Sequence, residues 1–187
     1  MLKVKIILGT NREGRHGQKV GEYIKGLAEL RPDWEVEYID LKERTLPFFT
    51  SAKPPKMGDY EEEGTKEWAK TIDEGDAYVF IVPEYNHGYS AVMKNALDLI
   101  YKEWANKPVA FVGYGAVVGG SRAVEQLRQV IVELQMVSIK DTVLVPMVWE
   151  AFDESGKPKN THIEKSAIEM FDQLTWWGEA LKAARTK

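Results

Sequence analysis

Ten consecutive residues, Gly9-Thr10-Asn11-Arg12-Glu13-Gly14-Arg15-His16-Gly17-Gln18, combine glycines, a hydroxyl and two guanidinium groups between an apolar run and a helical one. Backbone N–H groups left unpaired at a helix N-terminus, with the helix dipole behind them, make a site for an anion such as phosphate. Thr10 can donate a hydroxyl hydrogen bond, and Arg12 can add a charge-assisted, bidentate one. Three phosphate loops compete for this stretch. Gly9 and Gly14 have P-loop spacing, but Arg15 and His16 stand where Lys and then Ser or Thr are required, so the magnesium-binding hydroxyl is missing. The dinucleotide pattern G-x-G-x-x-G fails at Asn11. A mononucleotide site is left, beside the plainer alternative of an ordinary strand–helix turn carrying a solvated basic cluster.

Two further loops offer complementary groups. Pro83-Glu84-Tyr85-Asn86-His87-Gly88-Tyr89-Ser90 follows the most apolar run of the chain and presents backbone polar groups, aromatic rings and an amide, a mixture that suits a planar heteroaromatic ligand. The alternative is that Tyr85 and Tyr89 only cover the sheet end and His87 is a surface residue. Tyr114-Gly115-Ala116-Val117-Val118-Gly119-Gly120-Ser121-Arg122 is glycine-rich and permits positive φ and close ligand approach, with Ser121 or a neighbour as the expected helix N-cap. The three histidines, His16, His87 and His162, show no metal-binding spacing, so no metal site is expected. With no cysteine in the chain, redox chemistry has to come from a bound cofactor.

The elements that position these loops are legible as alternating periodicities. Short apolar runs at Val4–Leu8, Val36–Ile39, Ala77–Val82, Val109–Gly113 and Thr142–Val145 predict five strands. Between and after them lie amphipathic stripes: Val20, Ile24, Leu27 and Ala28; Trp68 and Ile72; Met93, Ala96, Leu97 and Ile100; Val124, Leu127, Ile131 and Leu134; and a last helix from Ile163 to Leu181. Alternation of this kind implies parallel pairing. The all-apolar run Ala77–Val82 implies a central strand covered on both faces. A doubly wound α/β sheet in the order 2-1-3-4-5 follows, with its ligand site beyond the carboxyl ends of strands one and three. Lys94, Asn95 and Asp98 are expected to form a polar helix face. Two irregular stretches, 47–60 and 149–160, are equally compatible with functional loops and with solvated excursions.

A length of 187 residues with 44% hydrophobic content predicts one domain spanning 1–187. The net charge of -4 supplies no field for nucleic acid or an anionic membrane surface. Lys3 and Lys5 interrupt the N-terminal run, where a signal peptide needs roughly 7 to 15 apolar residues. A cytoplasmic protein without membrane spans is expected.

Taken together, Gly9-Thr10-x-Arg12, Pro83-Glu84-Tyr85-Asn86, Lys94-Asn95-Ala96-Leu97-Asp98 and Tyr114-Gly115 through Gly119-Gly120 resemble the NADPH-dependent FMN reductase family of flavodoxin-like proteins, which includes quinone, azo-dye and chromate reductases. The resemblance implies FMN as cofactor, NADPH or NADH as electron donor and a small molecule such as a quinone as acceptor. It implies that Thr10, Arg12, His16, Gly17 and Gln18 surround the FMN phosphate, and that Pro83, Glu84, Tyr85 and Asn86 with Gly115, Gly119 and Gly120 hold the isoalloxazine. Backbone N–H groups near Asn86 and Gly115 would then stabilise charge on the reduced ring. No catalytic side chain is needed, because the flavin carries the chemistry. The Lys94–Asp98 helix is similar to the one through which family members dimerise, so a homodimer or homotetramer is expected. The alternative function is a non-enzymatic FMN electron carrier of flavodoxin type; such carriers are strongly acidic, and Arg12 together with a charge of only -4 favours the reductase.

Overall fold

The computed structural model describes residues 1–186. Five strands, β1 (Leu2–Leu8), β2 (Trp34–Asp40), β3 (Ala77–Pro83), β4 (Pro108–Tyr114) and β5 (Val137–Val145), alternate with five helices, α1 (Gly17–Glu29), α2 (Glu63–Asp73), α3 (Ala91–Asp98), α4 (Ser121–Glu133) and α5 (His162–Arg185). The sheet order is β2-β1-β3-β4-β5, and every neighbouring pair is parallel. This is the flavodoxin-like arrangement expected from the alternation of strands and helices.

Period-two alternation divides the core into two layers. Ala77, Val79 and Ile81 of β3 face α1 and α5, where they meet Val20, Ile24, Phe171 and Leu174. Tyr78, Phe80 and Val82 face α2, α3 and α4, where they meet Trp68, Ile72, Met93 and Leu127. Because both faces are covered, all seven residues of β3 are buried. The helix after β1 and the helix after β3 therefore leave the sheet on opposite faces, which opens a crevice between their N-termini. Register puts the exits level: Leu8 pairs with Ile81 and Pro83 with Tyr114.

Two elements differ in extent from their sequence patterns. Helix α3 stops at Asp98, although Ile100, the last residue of the apolar stripe, is buried all the same. Strand β5 begins at Val137 and not at Thr142, because a bulge sets Val109 opposite Ser138 but Phe111 opposite Thr142. The polar Lys140 and Asp141 fall in that bulge, so strict alternation is broken and the first half of the strand is hidden from a periodicity argument.

One buried cation closes the opposite end of the sheet. The Lys107 ammonium, 5% exposed, donates to the last carbonyls of α2, Ile72 O at 3.1 Å and Asp73 O at 2.8 Å. Burial pulls its pKa down from 10.5 to about 8, against the opposing pull of Asp73. The native state thus gives up this proton well before the unfolded chain does, and the unfolded chain binds more protons between the two values. Stability should therefore rise by about 1 kcal/mol between roughly pH 8 and 9. Urea melts at the two pH values measure this, and Lys107→Met should remove the slope.

Candidate functional site

Side-chain bridges between loops hold the crevice at the ends of β1 and β3. Ser90, the N-cap of α3, accepts from Met93 N at 3.2 Å and donates to Gly9 O at 2.6 Å. Gly9 packs bare against α3, where a Cβ would stand 2.5 Å from Met93 Cε and displace that side chain. One residue on, the fully buried Thr10 hydroxyl shares a 2.7 Å hydrogen bond with the Tyr85 hydroxyl. The phosphate-type loop and the aromatic loop are thereby fixed to each other.

The two arginines of the first loop have different duties. Arg15 is drawn inward and bound to both carboxylate oxygens of Asp40 on β2 and to Thr10 O. Arg12 is exposed and has no ion-pair or hydrogen-bond partner among the described residues. Behind it, α1 starts at Gly17 with no side-chain cap from His16 and no acidic residue in its first turn. The positive end of that helix and the Arg12 guanidinium are both unneutralised, the electrostatics an anion requires.

Arg12, His16, Pro83, Glu84, Tyr85 and Gly115 line one cleft of about 240 Å³, together with Arg15, Tyr114, Ala116, Val148 and Trp149. A groove of about 150 Å³ under residues 48–62 and an open hollow of about 450 Å³ beside Glu37, Glu43 and Glu67 lie apart from these loops. Convergence of unpaired polar groups, and not size, selects the cleft. Asn86 is not among the lining residues; it forms with His87 the tight turn that follows Tyr85, in which Tyr85 N donates to Gly88 O at 2.8 Å and Gly88 N to Tyr85 O at 3.0 Å, with φ of 50° and 67° at the two central residues. Burial leaves one polar atom of the cleft without a partner, the Tyr114 hydroxyl, packed against Gly17 so closely that a Cβ on Gly17 would overlap it.

Several expected site residues act behind the cleft surface. Thr10 and Gly17 are buried, and the Gln18 amide turns along the helix to Glu22 at 3.0 Å. Gly119 and Gly120, at φ of 61° and 88°, bring their turn against the ends of β4 and β5, where a Cβ on Gly119 would meet Pro146 N at 3.0 Å and one on Gly120 would meet Gly113 Cα at 2.8 Å. Gly120, not Ser121, is the N-cap of α4, and it has no side chain to offer. The Glu84 carboxylate, 8% exposed, serves that helix end, accepting from Arg122 N at 3.2 Å and from the Arg122 guanidinium at 2.8 Å. The Gly115 N–H is not free for a ligand, as it donates to Val145 O at 3.2 Å; the next one, on Ala116, has no acceptor among the described residues.

Sequence patterns pass over Tyr114, Ala116, Val148 and Trp149 as lining residues. Trp149 reaches the cleft because Val148 N donates to Gly115 O at 3.0 Å and Met147 N to Ala116 O at 2.9 Å, which lays the start of stretch 149–160 beside the β4 loop. Asn95 proves more than part of a polar face. It donates to Pro47 O at 2.9 Å and accepts from Phe49 N at 3.2 Å, and so ties stretch 47–60 to α3, while Lys94 and Asp98 pair with each other along the helix.

An uncapped, positively charged helix end facing aromatic walls at the switch point of a doubly wound sheet defines a flavodoxin-like protein that binds a mononucleotide. Comparison with known families is specific: residues 2–150 match the model for NADPH-dependent FMN reductases, and the chain belongs to that family. It is accordingly an FMN-dependent oxidoreductase that takes electrons from reduced nicotinamide. An NAD(P)H-dependent FMN reductase from a Nectria species is 34% identical over 153 residues, covering 78% of this chain and 76% of that protein. An NAD(P)H:quinone oxidoreductase of Solanum tuberosum is 30% identical over 148 residues, covering 73% and 70%. Among solved structures, the NAD(P)H:(acceptor) oxidoreductase FerB of Paracoccus denitrificans shares the fold with a TM-score of 0.77 at 23% identity, covering 96% of this chain and 98% of that one.

The Glu84 pairing predicts a stability phenotype. Glu84→Gln keeps the shape but loses the charge that holds Arg122 and the α4 N-terminus, and should cost about 1–2 kcal/mol in urea unfolding. An unchanged midpoint would show that Glu84 is not the cap of that helix.

Proposed function

We propose that the cleft binds FMN with its phosphate at the N-terminus of α1 and its ring between the loops after β3 and β4, and that the acceptor is a quinone or a similar small oxidant. One observation carries this reading: Arg12 and the first turn of α1 stay unneutralised at the point where the sheet's winding reverses, while the chain's other nearby charges are paired off. Arg12 and the backbone N–H groups of Gly17 and Gln18 would hold the phosphate, with His16 at the cleft wall and Thr10 fixing the loop from beneath. Pro83, Tyr85, Asn86, Ala116 and Trp149 would bound the ring. Gly115, Gly119 and Gly120 keep the β4 turn close enough to form that boundary, and Glu84 positions it through Arg122.

FMN held there would supply the redox chemistry, taking hydride from reduced nicotinamide and handing electrons to the acceptor. The protein's part is to bind, to orient and to offer N–H donors, and the Asn86 and Ala116 amides are the groups placed to stabilise negative charge on the ring. The potato relative's activity on quinones supports the choice of acceptor.

We read residues 1–187 as one domain, since all described helices pack on one sheet. The apolar Phe48 and Trp176, 76% and 64% exposed, support a homodimer or homotetramer, which sedimentation velocity would resolve. Among the described residues no helix is long and apolar enough to cross a membrane. Dependence on reduced nicotinamide suits a cytoplasmic location.

The purified protein loaded with FMN should be yellow and should bleach on anaerobic addition of NADPH, followed by return of colour with a quinone. Parallel lines in steady-state kinetics are expected, because donor and acceptor use the cleft in turn; intersecting lines would count against this order. Arg12→Ala should weaken FMN binding by about tenfold or more, the effect of one lost charge-assisted bond, with no change in melting temperature.

A further inference from the structure

We infer that Trp149 and Val117 form an apolar rim at the mouth of the cleft against which the electron acceptor lies, and that this rim selects neutral, planar aromatic oxidants. The inference rests on the placement of FMN given above and goes beyond it, from the cofactor to the molecule that receives the electrons.

Of the six tryptophans of the chain, five meet another aromatic ring: Trp34 with Phe171, Trp68 with Trp104, and Trp176 with Trp177. Trp149 has no aromatic partner among the described residues and is 52% exposed on the cleft wall. Its place is nevertheless fixed. Glu150 N donates to Met147 O at 3.0 Å and closes a turn with Val148 and Trp149 at its centre. Gly119 N donates to Ala116 O at 3.2 Å and closes a second turn with Val117 and Val118 at its centre. The bonds from Met147 N and Val148 N to the β4 loop hold the two turns together. Val117, one residue beyond the cleft-lining Ala116, is 79% exposed. Turn centres ordinarily carry Gly, Asn, Asp, Pro or Ser, and an exposed side chain there gains nothing from being apolar. Two such turns, bonded to each other and each presenting a large apolar group beside the cleft, make a contact surface.

Charge decides which molecule the surface suits. In the scheme above, a donor and an acceptor use the cleft in turn. The reduced nicotinamide donor carries several phosphates and needs cations or free N–H groups along its length. From Ala116 to Gly119 and from Met147 to Glu150, the only ionisable side chain is that of Glu150, a carboxylate that repels phosphate. A neutral aromatic oxidant has no need of cations. Its ring gains from contact with the indole, and its apolar substituents gain from contact with the valine, as both leave water. Because Ala116 and Trp149 belong to the cleft wall, the rim is continuous with the place where electrons leave, and the oxidant is the molecule that meets it.

The test takes the FMN-loaded full-length protein, NADPH and three acceptors: menadione, a quinone with a decyl tail, and ferricyanide, a trianion with no planar ring. Reduction of one quinone consumes one NADPH and one proton and yields NADP+ and the hydroquinone; two ferricyanide ions take the same two electrons, one each. The quantity read is kcat/KM for each quinone divided by kcat/KM for ferricyanide, a ratio in which flavin loading and the donor half of the cycle cancel. Trp149→Ala should lower this ratio about fivefold to tenfold for menadione, the worth of one ring-on-ring contact, and Trp149→Phe should restore about half of the loss. Val117→Ser should lower it about threefold for the decyl quinone and less for menadione. An unchanged ratio in either Trp149→Ala or Val117→Ser would overturn the inference. So would weaker FMN binding by Trp149→Ala with no change in the ratio, which would make Trp149 a wall of the flavin site alone. If either substitution splits an oligomer that the wild type keeps in sedimentation velocity, the rim is a subunit contact and the inference falls. A wild-type chain that takes up no FMN would sink the cofactor placement itself, whereas an unchanged ratio in a chain that binds FMN sinks only the rim. Both side chains lie outside the core, and should Trp149→Ala fail to fold, Val117→Ser with the decyl quinone decides the matter.

Discussion

The hydrogen bond from Ser90 to the carbonyl of Gly9 bears on everything at the cleft. In a parallel sheet the ladder ends with the strands, and the segments that leave β1 and β3 head for opposite faces. Nothing in the ladder itself keeps those segments together. Ser90 does so while also capping α3, and the bare Cα of Gly9 lets Met93 close the gap beneath. With that contact made, Thr10 and Tyr85 come within bonding distance, and the loop after β3 acquires a fixed position relative to the start of α1. The register of β3 with β4, and of β4 with β5, then carries the same alignment across to Gly115 and Val148.

Charge is distributed around this frame by pairing. Arg15 is consumed by Asp40, and Glu84 by Arg122. Each pair leaves the cleft with less competing charge than its composition suggests. What stays uncommitted is all of one sign: Arg12 and the amides of α1. The field in the crevice is therefore positive even though the chain as a whole carries -4. Net charge describes the molecule in bulk solvent; a ligand at the crevice experiences the residue of local cancellations.

Much of this was legible in the sequence, for identifiable reasons. Strand β3 is apolar at every position because both its faces are covered, and that marks it as central without further information. The order of elements then implies the winding, and the winding implies the crevice. Legibility falls off where partners are distant in sequence. Arg12 and Arg15 look equivalent until Asp40 on a neighbouring strand claims one of them. Glu84 looks like a ligand-facing carboxylate until Arg122, 38 residues on, comes to lie against it. The amide of Gly115 looks available until β5 supplies Val145 O. Trp149 sits in a stretch with no periodicity, and its place at the cleft is set by hydrogen bonds from Met147 and Val148 alone. The early part of β5 was hidden by its own bulge.

The contact between Gly17 and Tyr114 has an implication for how such a chain can drift. The first residue of α1 and the last residue of β4 meet so closely that neither is free to vary alone: a larger residue at 17 calls for a smaller or displaced one at 114. Two positions far apart in the sequence are in this respect one packing unit, so a change at either is read in the volume of the other.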